Sequence, residues 1–348
     1  MHSRVIQRFI PTKHLLLISE LQNEDQASST RQQRMKRYIY IPLHGGLGDQ
    51  IKKLYAGILV GRELKVSKIL IDFSFLGDYH IGEATALKSI LSTHKNFQIC
   101  KRDLPLDRFR EKLLGFLTRF RKKFPRLVNK LVNFSNFVLG YFTDLEPYSY
   151  DTISYSKVIK RLKYFRFHRK VIISGYFASV DYFFSLDAND QRIIKVPDKK
   201  LSQMEIYAVM HFRVGDIFTK YKSFGILDEG YYQQALEVIQ NSYGPIEVFG
   251  ISDDVKRAGV LFSNLKITWV TSSDTWNADE ALSAMASAPI LVASNSGLAL
   301  FGGLLSIHPN PSIFFPKVPN NEHWRPHSNE ILSQRWNLVS ASLWYPET

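Results

Sequence analysis

The sequence predicts an α/β protein built on parallel sheets, and three observations carry that expectation. Strand-like runs are short and almost wholly apolar, as in "RYIYIPL" (Arg37–Leu43) and "YAVMHF" (Tyr207–Phe212), which suits strands covered on both faces by helices. Helical patterns alternate with these runs along the chain, as right-handed crossovers between parallel strands require. The first strand also passes directly into a glycine-rich turn, "HGGLGDQ", and then a helical pattern.

Taken in order, the predicted strands are Arg37–Leu43, Lys68–Phe73, Val171–Phe177, Glu205–Phe212, Ile246–Ser252, Lys266–Thr271, Pro289–Ser294 and Ser312–Lys317. The predicted helices are Gln50–Leu64, Ala84–Ser92, Gly230–Gln240, Val255–Phe262, Asp279–Ala286 and Gly297–Leu304. A chain of 348 residues suits two domains of roughly 150 residues each. The polar, proline-containing "LDANDQRIIKVPDKKLSQ" (Leu186–Gln203) marks the boundary. The expected organisation is a mobile tail over 1–34, an N-terminal domain over 35–195 and a C-terminal domain over 196–348.

The formal net charge of +13 points to an anionic partner: nucleic acid, a membrane surface or a phosphorylated small molecule. Much of it sits in one place. Between Lys101 and Lys130 there are 11 Lys/Arg against three Asp/Glu, interleaved with Leu, Phe and Val at helical spacing. Such a basic amphipathic segment, taken here as a helical insertion over about 101–165, suits the surface of an anionic bilayer. It equally suits a helix packed on its own domain with its charges solvated. A single cysteine, Cys100, excludes an internal disulfide. No stretch has the length of a secretory signal core or a membrane span. The expected location is cytoplasmic, with peripheral contact at the inner face of a bacterial membrane.

Four strand-end loops carry residue types suited to chemistry. Gly45, Gly46 and Gly48 let a ligand approach the main chain at the start of a helix, where N–H groups favour anions; a plain structural turn is the alternative. The spacing fits neither a dinucleotide fingerprint nor a Walker loop. Beyond the strand ending at His211 stand Arg213 and Asp216, an arginine able to grip phosphate and a carboxylate able to orient it; a surface ion pair is the alternative. Ser252, Asp253 and Asp254 follow the next strand and suit helix capping or contact with a nucleotide. Ser294, Asn295 and Ser296 open the last helix and suit a second phosphate position or ordinary capping.

Six segments then align in order with one family. "GGLGDQ" (Gly45–Gln50), "ISGYFASVDYF" (Ile173–Phe183), "MHFRVGDIF" (Met210–Phe218), "FGILDEGYYQQALEVI" (Phe224–Ile239), "FGISDD" (Phe249–Asp254) and "ALSAMASAPILVASNSGLALFGGLL" (Ala281–Leu305) together resemble glycosyltransferase family 11, the α-1,2-fucosyltransferases. The resemblance implies a GT-B-type fold, with two Rossmann-like domains facing each other across a cleft. It also implies transfer of L-fucose from GDP-β-L-fucose with inversion, without a metal or other cofactor. The acceptor would be an oligosaccharide or lipid-linked glycan. By the same resemblance Arg213 holds the diphosphate and is needed for catalysis, His211 in the same segment is a further catalytic candidate, and Asp216 is a donor-binding one. Gly45, Gly46, Gly48 and Gln50 form the first loop, Ser252, Asp253 and Asp254 lie near the nucleotide, and Ser294, Asn295 and Ser296 touch phosphate.

Four positions depart from the family's pattern: Val214 replaces a second arginine, Asp49 an asparagine, and Leu300 and Phe301 a pair of tryptophans. The first two make the donor site less positive, so a different nucleotide-sugar donor is the first alternative. Asp49 is either the base for the acceptor hydroxyl or a helix cap. A non-catalytic basic protein that docks nucleic acid is the second alternative, although no nucleic-acid motif is present and no nucleic-acid partner is expected.

Overall fold

The computed structural model of the chain describes residues 37–66, 68–74, 81–91, 97–100, 125–143, 155–177, 179–219, 222–270, 277–318 and 332–346. The expected tail over 1–34, the basic stretch 101–124 and residues 144–154 lie outside the described residues.

The first half contains β1 (Tyr38–Pro42), α1 (Leu47–Glu63), β2 (Lys68–Asp72), α2 (Ile81–Ile90), β3 (Phe97–Cys100), α3 (Pro125–Val138), β4 (Tyr141–Phe142), α4 (Tyr155–Phe165) and β5 (Lys170–Ile173). Its five strands form one sheet in the order β3-β2-β1-β5-β4, parallel throughout. β1 is central, with Tyr38 opposite both Lys68 and Lys170. Successive side chains of a strand point to opposite faces. Ile39 and Ile41 therefore pack with α1 in one core, while Tyr40 packs with Tyr141 and Ile172 in another. Burial on both faces is why these strands read as apolar runs. The described part of the basic segment is helical, and it delivers the chain to the edge strand β4 and then to β5.

β5 stops earlier than the sequence suggests. Gly175 has φ 153 and Phe177 the left-handed φ of 49, so the chain turns away from the sheet into α5 (Asp181–Phe184) and α6 (Ala188–Gln191). α5 packs back onto α1, with the rings of Tyr55 and Phe183 edge to face at 5.1 Å.

The second half contains β6 (Tyr207–Phe212), α7 (Gly215–Thr219), a 3-10 turn at Lys222–Phe224, β7 (Ile226–Leu227), α8 (Glu229–Tyr243), β8 (Glu247–Ser252), α9 (Val255–Leu261) and β9 (Thr268–Trp269). There follow α10 (Ala278–Ser287), β10 (Ile290–Val292), α11 (Gly297–Leu304), β11 (Ser312–Lys317), β12 (Asn337–Ser340) and β13 (Leu343–Trp344). The main sheet has the order β12-β11-β10-β6-β8-β9 and is again parallel; β13 and β7 form a separate antiparallel pair. Every residue of β6 is buried. Ala208, Met210 and Phe212 serve the core on one face, Tyr207 and Val209 the core on the other.

The expected architecture of two Rossmann-like halves, each on a parallel sheet, is what the chain adopts. α1 lies where they meet and is buried nearly all round, as a helix enclosed on several sides must be. Phe301 of α11 stacks on Tyr55 of α1 at 5.8 Å, and Leu282, Phe301 and Leu305 join the core of the first half. Beside them the Ser89 hydroxyl of α2 donates to Asp279 of α10 at 2.8 Å.

Candidate functional site

The glycine turn connects β1 to α1, and its glycines answer to different constraints. Gly45 adopts φ +78, a left-handed angle that a side chain disfavours. Gly46 holds the N-cap position of α1 and has no side chain to cap it. Gly48 is pressed against the other half: a Cβ there would lie 2.5 Å from the backbone of Gly297 and of Leu298. The start of α1 thus sits on the start of α11. Gln50 is fully buried, and its side-chain amide donates to the Gly45 carbonyl at 3.0 Å. That bond ties the turn to the first turn of α1.

Asp49 lies inside the first turn of α1, past the N-cap, so its side chain is not the helix cap. Its Oδ1 accepts from the Lys52 ammonium at 3.0 Å. Burial pushes the Asp49 carboxyl up, yet the charge and hydrogen bond of Lys52, helped by Arg213 and Lys53, outweigh burial and hold it below the usual carboxylate value. The group is ionised at neutral pH.

Arg213 stands just beyond the carboxyl end of β6, with its side chain 18% exposed. Its Nε donates to Asp216 at 3.1 Å, one terminal nitrogen to the same carboxylate at 2.8 Å, and the other to the Asn295 carbonyl at 3.4 Å. The guanidinium also lies over the Phe224 ring, 5.2 Å from its centroid. Burial would lower its pKa, but the bonded Asp216, with Asp49 and Asp253, raises it. Arg213 is a fixed cation.

The loop bearing Arg213 is itself held by Asp253. That carboxylate accepts from the backbone N–H groups of Val214 (2.8 Å), Gly215 (3.0 Å) and Asp216 (3.0 Å). Asp254 is the N-cap of α9, accepting from the Arg257 N–H at 3.0 Å, and the Ser252 hydroxyl accepts from the Asp254 N–H at 3.1 Å. Both carboxylates of this loop therefore serve backbone donors, the capping use foreseen for it. Val214, at the position of the absent second arginine, is wholly buried.

The third loop is tied to the second. Ser294 and Asn295 are buried. The Ser294 hydroxyl lies 2.7 Å from Nδ1 of His211, while the Asn295 amide donates to the Gly225 carbonyl at 3.0 Å. Ser296 is the N-cap of α11, accepting from the Leu298 N–H. The imidazole of His211 is pushed down to about 4, first by burial and then by Arg213, against Asp253 and Asp216; it is neutral at physiological pH.

Two tyrosines of α8 hold the strand ends from below. The Tyr231 hydroxyl donates to the Ala293 carbonyl at 2.7 Å and the Tyr232 hydroxyl to the His211 carbonyl at 3.0 Å. Burial raises both phenols far enough to keep them protonated donors. Sequence reasoning used this "YY" pair only as part of a motif. It missed Lys52 altogether, because a lysine in a helix reads as solvated.

The glycine turn, Arg213, Asp216 and the Ser294–Ser296 loop thus meet at one place between the halves, with Ser252–Asp254 behind them. Next to it a small crevice of about 230 Å³, counting its open mouth, is lined by Lys52, Tyr55, Phe177, Ser179, Tyr182 and Phe301 among others. Among the described residues no group of three or more His, Cys, Asp or Glu is placed to hold a metal ion.

No family model matches the chain, and no curated protein matches it. Similar solved structures include E. coli heptosyltransferase WaaC with ADP, 10% identical, covering 87% of this chain and 93% of that one at a TM-score of 0.39. Fucosyltransferase NodZ from Bradyrhizobium is 10% identical, with 78% and 93% covered at a TM-score of 0.42. POFUT1 in complex with GDP-fucose is 11% identical, with 81% and 98% covered at a TM-score of 0.39. At these identities and TM-scores the likeness is one of outline only.

Proposed function

We propose that the chain is an inverting glycosyltransferase that moves L-fucose from GDP-β-L-fucose to a hydroxyl of a glycan acceptor. The preferred acceptor is the 2-OH of a galactose-type sugar in an O-antigen or capsule repeat unit. One observation carries the reading: Arg213 is a rigidly held cation where the glycine turn of one half meets the last loop of the other. The six collinear segments supply the donor.

In this reading the acceptor oxygen attacks the anomeric carbon from the face opposite the diphosphate. The bond from that carbon to the β-phosphate oxygen breaks, its electrons leave with GDP, and the linkage becomes α. The ionised Asp49, 40% exposed, takes the acceptor's proton. Arg213 stabilises the charge growing on the diphosphate, a contribution of about 3 kcal/mol for a well-placed donor. Asp216 aims the guanidinium. His211 acts as a positioning residue that joins the β6 end to Ser294, while Asp253 holds the Arg213 loop in place.

The lowered positive charge at Asp49 and Val214 supports a second reading, in which the enzyme takes another nucleotide sugar. A single screen separates these readings from a nucleic-acid-binding role. Thermal unfolding with GDP, UDP, ADP and CMP should show stabilisation by the matching nucleotide, and by GDP first. Arg213→Lys and Arg213→Ala should then fold normally but lose about 100-fold or more in transfer. Stabilisation by none of the four nucleotides, with salt-dependent retention on nucleic acid, would overturn the enzyme reading.

Peripheral contact with an anionic membrane belongs to the same proposal. Among the described residues no helix is long and apolar enough to cross a membrane. α3, however, turns Leu127, Leu131 and Phe134 outward, with Arg126 and Lys130 exposed beside them. A lipid-linked acceptor at the inner face of a bacterial membrane suits that surface.

A further inference from the structure

Lys52 is a second cation at the cleft, paired with Asp49. Its side chain is only 10% exposed, and Lys52 lines the crevice beside aromatic residues. The ammonium lies 3.0 Å from Asp49 and 2.9 Å from the point where a Cβ on Gly297 would stand. Lys52 belongs to the first half and Gly297 opens α11 in the second. An ammonium over the first residue of a helix faces the positive end of its dipole, and the Asp49 carboxylate at 3.0 Å is the anion that offsets this in the unliganded protein. Arg213 reaches the same loop through the Asn295 carbonyl, at 3.4 Å. Each cation is held by a carboxylate, Lys52 by Asp49 and Arg213 by Asp216.

We infer that Lys52 is a second phosphate-binding cation, supplied across the cleft from the first half. Asp49 holds it ready in the unliganded protein, and it turns to the diphosphate when a nucleoside diphosphate enters. The inference rests on the proposed reading of the cleft as a nucleotide-sugar site. It gives the donor site two cations of different character: a planar, fixed guanidinium and a swinging point charge. It also makes donor binding depend on the two halves being docked.

Inorganic pyrophosphate is the probe, because it needs no choice of base, and GDP is the second. Calorimetric titration of the full chain should show pyrophosphate affinity reduced about tenfold in Lys52→Gln and largely restored in Lys52→Arg. Asp49→Asn, which releases the ammonium, should bind pyrophosphate at least as tightly as the parent. If the parent binds neither pyrophosphate nor any of GDP, UDP, ADP and CMP, the nucleotide-sugar reading falls, and the Lys52 role with it. If the parent binds and Arg213→Lys weakens binding while Lys52→Gln does not, only the Lys52 role falls. Should Lys52→Gln fail to fold, Lys52→Arg and Asp49→Asn decide: loss of pyrophosphate binding in Asp49→Asn overturns the inference.

Discussion

His211 shows how one buried residue ties the site to the stability of the fold. Burial disfavours its imidazolium, so its folded pKa is about 4 against an ordinary 6.5. A histidine whose folded pKa is lowered contributes stability above its unfolded pKa and loses it as pH falls toward the folded value. Between pH 6.5 and 4 the unfolded chain takes up a proton that the folded chain refuses. The His211 part of the stability should therefore shrink by about 2 kcal/mol on moving from pH 7 to pH 5. Urea unfolding at both pH values should show a smaller loss for His211→Asn than for the parent. An equal loss would mean that His211 is not desolvated as its contacts with Ser294 and Tyr232 require. Arg213 stands out in sequence because it follows an apolar strand, and His211 because it interrupts one. Lys52, in "IKKLY", carries no such mark.

The two helix starts are the elements that set the cleft. α1 and α11 meet at Gly48 and Gly297, and the approach is close because Gly48 has no side chain. A methyl group at Gly48 would strike backbone, which cannot rotate aside. Gly48→Ala should cost about 1–3 kcal/mol, lowering the melting temperature and the protection given by GDP together. An alanine variant with parental melting and binding would show that the halves do not dock at this point. Helices α1, α2, α8, α9, α10 and α11 and most central strands are legible in the sequence to within a few residues, whereas the short α5, α6 and α7 are not, being too brief to show a helical period. The edge strands β3, β4 and β12 are not. β3 has Gln98 and Ile99 exposed and β4 is two residues long, so neither leaves an apolar run.

For the whole molecule, the continuous core between the halves argues that the cleft is preorganised. Leu282, Phe301 and Leu305 of the second half share a core with α1, Phe177 and Phe183 of the first. Charge acts at this scale as well. The net +13 and the outward apolar stripe of α3 lead to a test of membrane contact. The parent should sediment with vesicles rich in phosphatidylglycerol and not with neutral phosphatidylcholine vesicles. Leu131→Glu combined with Phe134→Glu should weaken that binding about tenfold or more. Equal sedimentation with neutral lipid, or none with either, would remove the membrane from the proposal.

The sequence by itself determined the α/β alternation, the parallel strands and the loops at their carboxyl ends. Those features follow from hydrophobic periodicity and turn chemistry, which act over a few neighbouring residues. Only the tertiary structure decided which groups meet there. It pairs Asp49 with Lys52 and removes it from the cap, sets Asp253 on the backbone of the Arg213 loop, turns Gln50 and Asn295 inward, and lays Gly48 on Gly297. These contacts join segments far apart in the chain, and their partners depend on how two sheets dock. No local pattern of side chains encodes that geometry.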